Sequence, residues 1–138
     1  DPSADAYNGL GSLYLVNQQL NEAETVLKRA IHLDSLHQRS INNLGYLYYL
    51  TGRLKESEVF FQQAYKIDST DNHALNCLAC LYSKFNQVDR AFTYLNLALE
   101  QGWNNIEQLE NDDDLLLLRN QKEKWNALMK KYFPEKMK

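Results

Sequence analysis

Gly11, Gly45 and Ala79 stand 34 residues apart, and that spacing constrains this chain more than any other feature of it. Laid on itself at the same offset, the sequence also aligns Leu10, Leu44 and Leu78, then Tyr14, Tyr48 and Tyr82, then Ala23, Ser57 and Ala91. Leu27, Phe61 and Leu95 follow, as do Ala30, Ala64 and Ala98. A fixed period of this length marks a supersecondary unit repeated in series. Three units result, about 4–37, 38–71 and 72–105.

Each unit reads as two helices. In the second, Ile41, Leu44, Gly45 and Tyr48 fall at i, i+3, i+4 and i+7, one face of a helix. Thr51-Gly52 interrupts, with Gly52 a suitable stop. Leu54, Ser57, Phe61 and Ala64 resume the pattern. Asn17-Gln18 and Asn86-Gln87 are the matching breaks, and Asp34-Ser35 and Asp68-Ser69 divide the units, with Ser69 or Thr70 as N-cap of the next helix. A glycine inside a helix costs about 1 kcal/mol relative to alanine. Close approach of two helix axes supplies a reason to keep one. A hairpin of short helices cannot bury its apolar face alone, so it stacks on neighbours through small residues at the crossings.

The pattern resembles the tetratricopeptide-repeat family. The residues that carry the resemblance are Tyr7, Leu10, Gly11, Tyr14, Ala23, Leu27 and Ala30, recurring twice at the same period across roughly 4–105. The proline common at the end of such units is replaced by Ser35, Ser69 and Trp103, and Ser57 stands where alanine is usual. The resemblance implies an all-α fold, an α-α superhelix of three helical hairpins. Residues 106–138 break the register, placing Asp112 and Asp113 where Leu-Gly belongs. They read as short helices around 106–110 and 113–119 and a final one around 121–133, with Trp125, Leu128, Met129 and Tyr132 on one face. This segment is expected to cap the third unit within a single domain spanning 1–138.

Chemistry is sparse. Asn111-Asp112-Asp113-Asp114 lacks the alternating spacing and glycine of a calcium loop and suits a helix start instead. Cys77 and Cys80 form a C-x-x-C in mid-helix, with no second pair to complete a zinc site. His32, His37 and His73 are scattered and read as surface residues. No nucleophile elbow or phosphate-cradling glycine loop occurs, so no enzyme activity, metal or cofactor is expected. Residues 1–118 hold 8 Lys/Arg against 16 Asp/Glu, net −8, which repels phosphate and argues against nucleic acid. No stretch reaches the ~20 apolar residues of a membrane span. Two cysteines make no disulfide framework, which leaves the compartment open with a lean to the cytoplasm. A chain starting at Asp1 is expected to be a fragment or a processed product of a larger parent.

What the family's groove places would hold is implied by the resemblance. In the first unit they include Asp5, Asn8 and Ser12; in the second Arg39, Asn42, Asn43, Tyr46 and Tyr49; in the third His73, Asn76, Cys77, Cys80 and Lys84. Asn8, Asn42 and Asn76 share one register position. Each carboxamide offers a donor and an acceptor to a peptide backbone, or to a neighbouring repeat. Both readings stay open. Chaperone-binding members clamp a C-terminal carboxylate with basic and Asn residues; of the matching places Asn8, Ser12, Asn43, His73 and Cys77, only Asn43 fits. The expectation is therefore a non-catalytic module that binds a protein or peptide partner in its groove. The alternative is a self-associating or scaffolding domain of a larger protein.

Overall fold

The computed structural model describes residues 2–137, which contain helices and no strand. In chain order these are α1 (Ala4–Val16), α2 (Leu20–Leu33), α3 (Gln38–Leu50), α4 (Leu54–Ile67), α5 (Asn72–Lys84), α6 (Val88–Glu100), α7 (Ile106–Asn111), α8 (Leu116–Arg119) and α9 (Lys122–Tyr132). Short 3-10 turns at Asp113–Leu115 and Pro134–Met137 precede α8 and follow α9. The chain forms two compact units, residues 1–69 and 70–138.

The first unit holds two hairpins, α1–α2 and α3–α4. Each turn between paired helices uses the same trick. Gly52 has φ 78°, the left-handed region that glycine enters without cost, and its counterpart in the first hairpin, Gln18, is forced to φ 61°. Small residues do sit at the crossings. A Cβ placed on Gly11 would come 2.6 Å from Leu27 Cδ2, and one placed on Gly45 would come 3.2 Å from the Phe61 ring. Ser57 explains its own departure from alanine: fully buried, it donates a 2.8 Å hydrogen bond to the Gly45 carbonyl. The two hairpins join through a core of Ala23, Leu27, Leu44, Leu47 and Tyr48, flanked by Tyr14, Leu15, Ile31 and Phe60.

The second unit opens with the α5–α6 hairpin. Asn86, again at the turn, has φ 60°. The N-cap of α5 is Asp71, whose side chain accepts from the His73 and Ala74 amides; Ser69 and Thr70 do not cap it. Tyr82 is buried, stacks on Tyr94 with centroids 5.4 Å apart, and takes the Arg90 guanidinium 4.0 Å above its ring. The capping helices supply Leu109, Leu115 and Leu118, all fully buried, with Trp125, Leu128 and Met129 behind them. Polar ties hold α9 to α6: Lys124 pairs with Asp89 at 2.6 Å, and the Tyr132 hydroxyl donates to Asn96 Oδ1 at 2.7 Å. Asp112 starts the 3-10 turn by accepting from the Asp114 amide, the helix-start role its sequence suggested.

Candidate functional site

In the first unit the register position expected to face a groove is occupied by polar side chains that largely bind each other. Asn8 is 7% exposed, and its Oδ1 accepts from Ser40 Oγ at 3.2 Å and from Asn43 Nδ2 at 2.9 Å. Asn43 Nδ2 also lies 3.1 Å from Ser12 Oγ. The carboxamide oxygen of Asn8 therefore links α1 to α3 and is not displayed to solvent. Asn42 and Asn76, at the same register, are equally buried at 7% and 8%. What the first unit does display is Arg39, exposed near the start of α3, and Tyr46, 40% exposed two turns further on, with Tyr49 half-buried beside it. In the second unit His73 and Lys84 are exposed at the two ends of α5, Cys77 is half-buried and Cys80 is 5% exposed.

The network continues into a set of residues that sequence reasoning passed over. His37 is not a surface histidine: its side chain is 11% exposed, and its Nε2 lies 2.6 Å from Asp5 Oδ1. Its Nδ1 lies 2.8 Å from Ser40 Oγ and accepts from the Ser40 amide at 3.3 Å, which makes His37 the N-cap of α3. The hydrogen bond from His37 is the main reason the Asp5 carboxyl is held below its ordinary value of 3.8. Asp5, His37 and Ser40 in contact, the first of them distant in sequence, have the connectivity of a hydrolase relay. The burial contradicts that use, since Ser40 is 0% exposed and its hydroxyl is shared between His37 and Asn8. No substrate carbonyl can reach it, so the set is a helix cap extended into an inter-hairpin tie. A polar residue just before a helix was the legible signal; histidine is simply not among the usual N-caps.

The cysteines are poorly suited to redox work. Burial pushes the Cys77 thiol up to about 12, and the nearby carboxylates of Asp71 and Asp112 add to the effect. Burial likewise drives Cys80 well above its usual range. A thiol this reluctant to ionise is a weak nucleophile. Cys80, Asp112 and Asp114 bring their donor atoms within 4.8 Å of one another. The Asp112 oxygens are already engaged, one by the Asp114 amide and the other by Gln108 Nε2, both at 2.9 Å. Lys84 Nζ also sits 3.4 Å from Asp114 Oδ1. These carboxylates serve the turn and an ammonium group, which leaves little for a cation.

Comparison with known proteins matches this architecture. Two family profiles, both described as tetratricopeptide repeat, match residues 4–35 and 38–67. The chain carries tetratricopeptide repeats over those residues. Its fold class is the all-α, α-α superhelix of helical hairpins with C-terminal capping helices. This tetratricopeptide-repeat chain is similar to a crystal structure of MamA, with a TM-score of 0.69 and 24% identity over 79% of this chain and 62% of MamA. A second MamA structure gives 0.67 and 24%, over 80% and 58%. The chain thus spans about three fifths of MamA's length. It is also similar to SycD, a type III secretion translocator chaperone of Yersinia enterocolitica solved as an alternative dimer, with a TM-score of 0.69 and 16% identity over 93% and 92%. These are likenesses of fold. No curated protein sequence matches the chain.

Proposed function

We propose that this chain is a non-catalytic interaction module, and that an extended peptide segment of a protein partner binds along the first-helix face of the first unit. The observation that carries this reading is Tyr46. It is a large aromatic side chain left 40% exposed on α3, one turn past Asn43, while its apolar neighbours Leu44 and Leu47 are 1% exposed. A partly exposed tyrosine offers broad contact area at low entropic cost. The Asn8–Asn43–Ser12 hydrogen bonds hold the backbone beneath it in place, so binding there would require little reorganisation. Arg39 adds an exposed cation at the other end of the same helix.

Asn8 and Asn43 are assigned to the frame of this face, and Tyr46 and Arg39 to contact with the peptide. Panning a random peptide library against the chain tests it. The Tyr46→Ala, Arg39→Ala double variant is expected to lose at least roughly tenfold in affinity for enriched peptides, the order expected for an aromatic anchor. Its thermal midpoint should stay unchanged, and Val59→Ala, on the 62% exposed side of α4, should bind normally. Full affinity in the double variant overturns the assignment.

A further inference from the structure

The face of α1 turned towards neither α2 nor α3 carries a second, unrelated feature. Ala6, Leu10 and Leu13 share one side of the helix by spacing, with Gly9 and Val16 along its rim. Leu10 is 39% exposed, Leu13 60% and Val16 79%. Ala6 and Gly9 are exposed too, and a Cβ built on Gly9 would meet nothing within 4 Å. Three turns of helix thus present an apolar stripe without a single charge.

The repeat register says what such a stripe is for. One period later, on α3, the same positions are Ser40, Leu44 and Leu47, exposed by 0%, 1% and 1%. The residues that cover Leu44 and Leu47 are those of the preceding hairpin: Ala23, Leu27 and Ile31 from α2, with Tyr14 and Leu15 from α1. The α2–α3 contact is therefore the completed form of an interface of which α1 presents the receiving half. The covering half is a second-helix stripe, small–large–small. This chain contains three of them: Ala23, Leu27 and Ala30; Ser57, Phe61 and Ala64; Ala91, Leu95 and Ala98. All nine residues are 0% exposed. A second copy of the chain has no such stripe to offer.

The geometry points to a helical hairpin of the same repeat type, supplied from outside these residues, as the occupant of the Ala6–Leu10–Leu13 face. Its second helix would place a small residue and a leucine or phenylalanine at the spacing of Ala23 and Leu27, the pair packed with Leu44 and Leu47. This interface does not involve Tyr46 or Arg39, so it stands or falls separately from the peptide site.

An extended chain, with a copy of residues 4–37 joined ahead of residue 4 at the 34-residue spacing, tests the inference directly. Its thermal midpoint is expected to exceed that of the chain itself by at least about 4 °C, the shift given by roughly 1 kcal/mol in a domain of this kind. Leu13→Glu should barely move the chain itself and should lower the extended chain by several degrees. As a measurement in trans, a helix-stapled peptide with the sequence of Leu20–Leu33 should perturb the Leu10 and Leu13 methyl resonances of the intact protein. Equal effects of Leu13→Glu in both chains, or no methyl perturbation at millimolar peptide, overturn it. So does a dimer of the chain in sedimentation that Leu13→Glu dissolves, which would give the face to a second copy.

Discussion

α1 and α3 have the same length, the same Leu-Gly pair and a tyrosine three residues after the glycine, one period apart. Leu10 and Leu13 are nevertheless 39% and 60% exposed, whereas Leu44 and Leu47 are each 1% exposed. The helices differ in neighbours more than in pattern. α3 lies between the α1–α2 hairpin and α4, while among the described residues α1 has a hairpin on one side only. In a repeat protein an apolar stripe states what a helix can bury, and the adjacent unit decides whether it does so.

Leucine truncation should break the symmetry of the comparison most visibly. Leu47→Ala empties a fully packed position next to Leu27 and Tyr48 and should cost about 2–5 kcal/mol. Leu13→Ala, its register equivalent, removes a side chain that is mostly in water and should stay within roughly 0.5 kcal/mol. Chemical denaturation of the two variants measures the difference. Similar costs would mean that α1 is covered in solution.

The glycines sharpen the comparison at the next level. At position 11 a methyl group would fall 2.6 Å and 2.7 Å from Cδ2 and Cγ of Leu27, a side chain with no exposure and hence little room to move. Gly11→Ala should cost about 1–3 kcal/mol through overpacking, even though alanine is the better helix former. At position 45 the added methyl meets the Phe61 ring at 3.2 Å, which needs to yield only a few tenths of an ångström. The helix-propensity gain of about 1 kcal/mol is then enough to bring Gly45→Ala close to neutral. A Gly45→Ala variant as damaged as Gly11→Ala would show that the Phe61 ring cannot shift.

How much of this was legible in the sequence depends on the range of the interaction. The hairpins, their turns and the small residues at the crossings follow from a period and a propensity, both local. The interruption at Thr51-Gly52 is visible because glycine is the residue that tolerates positive φ; Gln18 and Asn86 adopt the same conformation without announcing it. Hydrogen-bond partners are another matter. Nothing in the linear order says that Ser57 meets the Gly45 carbonyl twelve residues back, or that Asn8 spends its carboxamide on Ser40 and Asn43. Both readings of Asn8, towards a peptide or towards a neighbouring repeat, stayed open because its helical face was known and its cross-helix partners were not. The exposed cation and aromatic of the candidate face, Arg39 and Tyr46, were both readable, and so was the register that makes Leu10 and Leu13 equivalent to buried leucines. Their exposure was not, because it depends on what lies beyond them.

The smallest expected effect concerns a charge that helps tie the two hairpins of the first unit. Glu24 on α2 accepts from the Tyr48 hydroxyl of α3 at 2.7 Å and pairs with Lys28 at 2.9 Å and with Arg53 at 3.3 Å. Arg53 in turn lies 4.2 Å above the Tyr48 ring. Burial works to raise the Glu24 carboxyl, but the hydrogen bonds from Tyr48 and Lys28 and the charges of Lys28 and Arg53 outweigh it, so the group sits below its ordinary value of 4.5. A carboxyl whose folded value is depressed contributes stability that is fully present above the unfolded value and disappears as pH falls through the folded one. Glu24→Gln should therefore cost about 1 kcal/mol at pH 7, the scale of one partly exposed charged hydrogen bond. The gap to the unmodified protein should narrow as the pH is lowered from 4.5 and close once Glu24 is protonated in the folded state. Denaturant melts of both proteins between pH 7 and pH 3 measure it. A gap that stays constant across that range would assign the loss to altered side-chain contacts and remove the carboxylate's charge from the account of how α3 is held against α2.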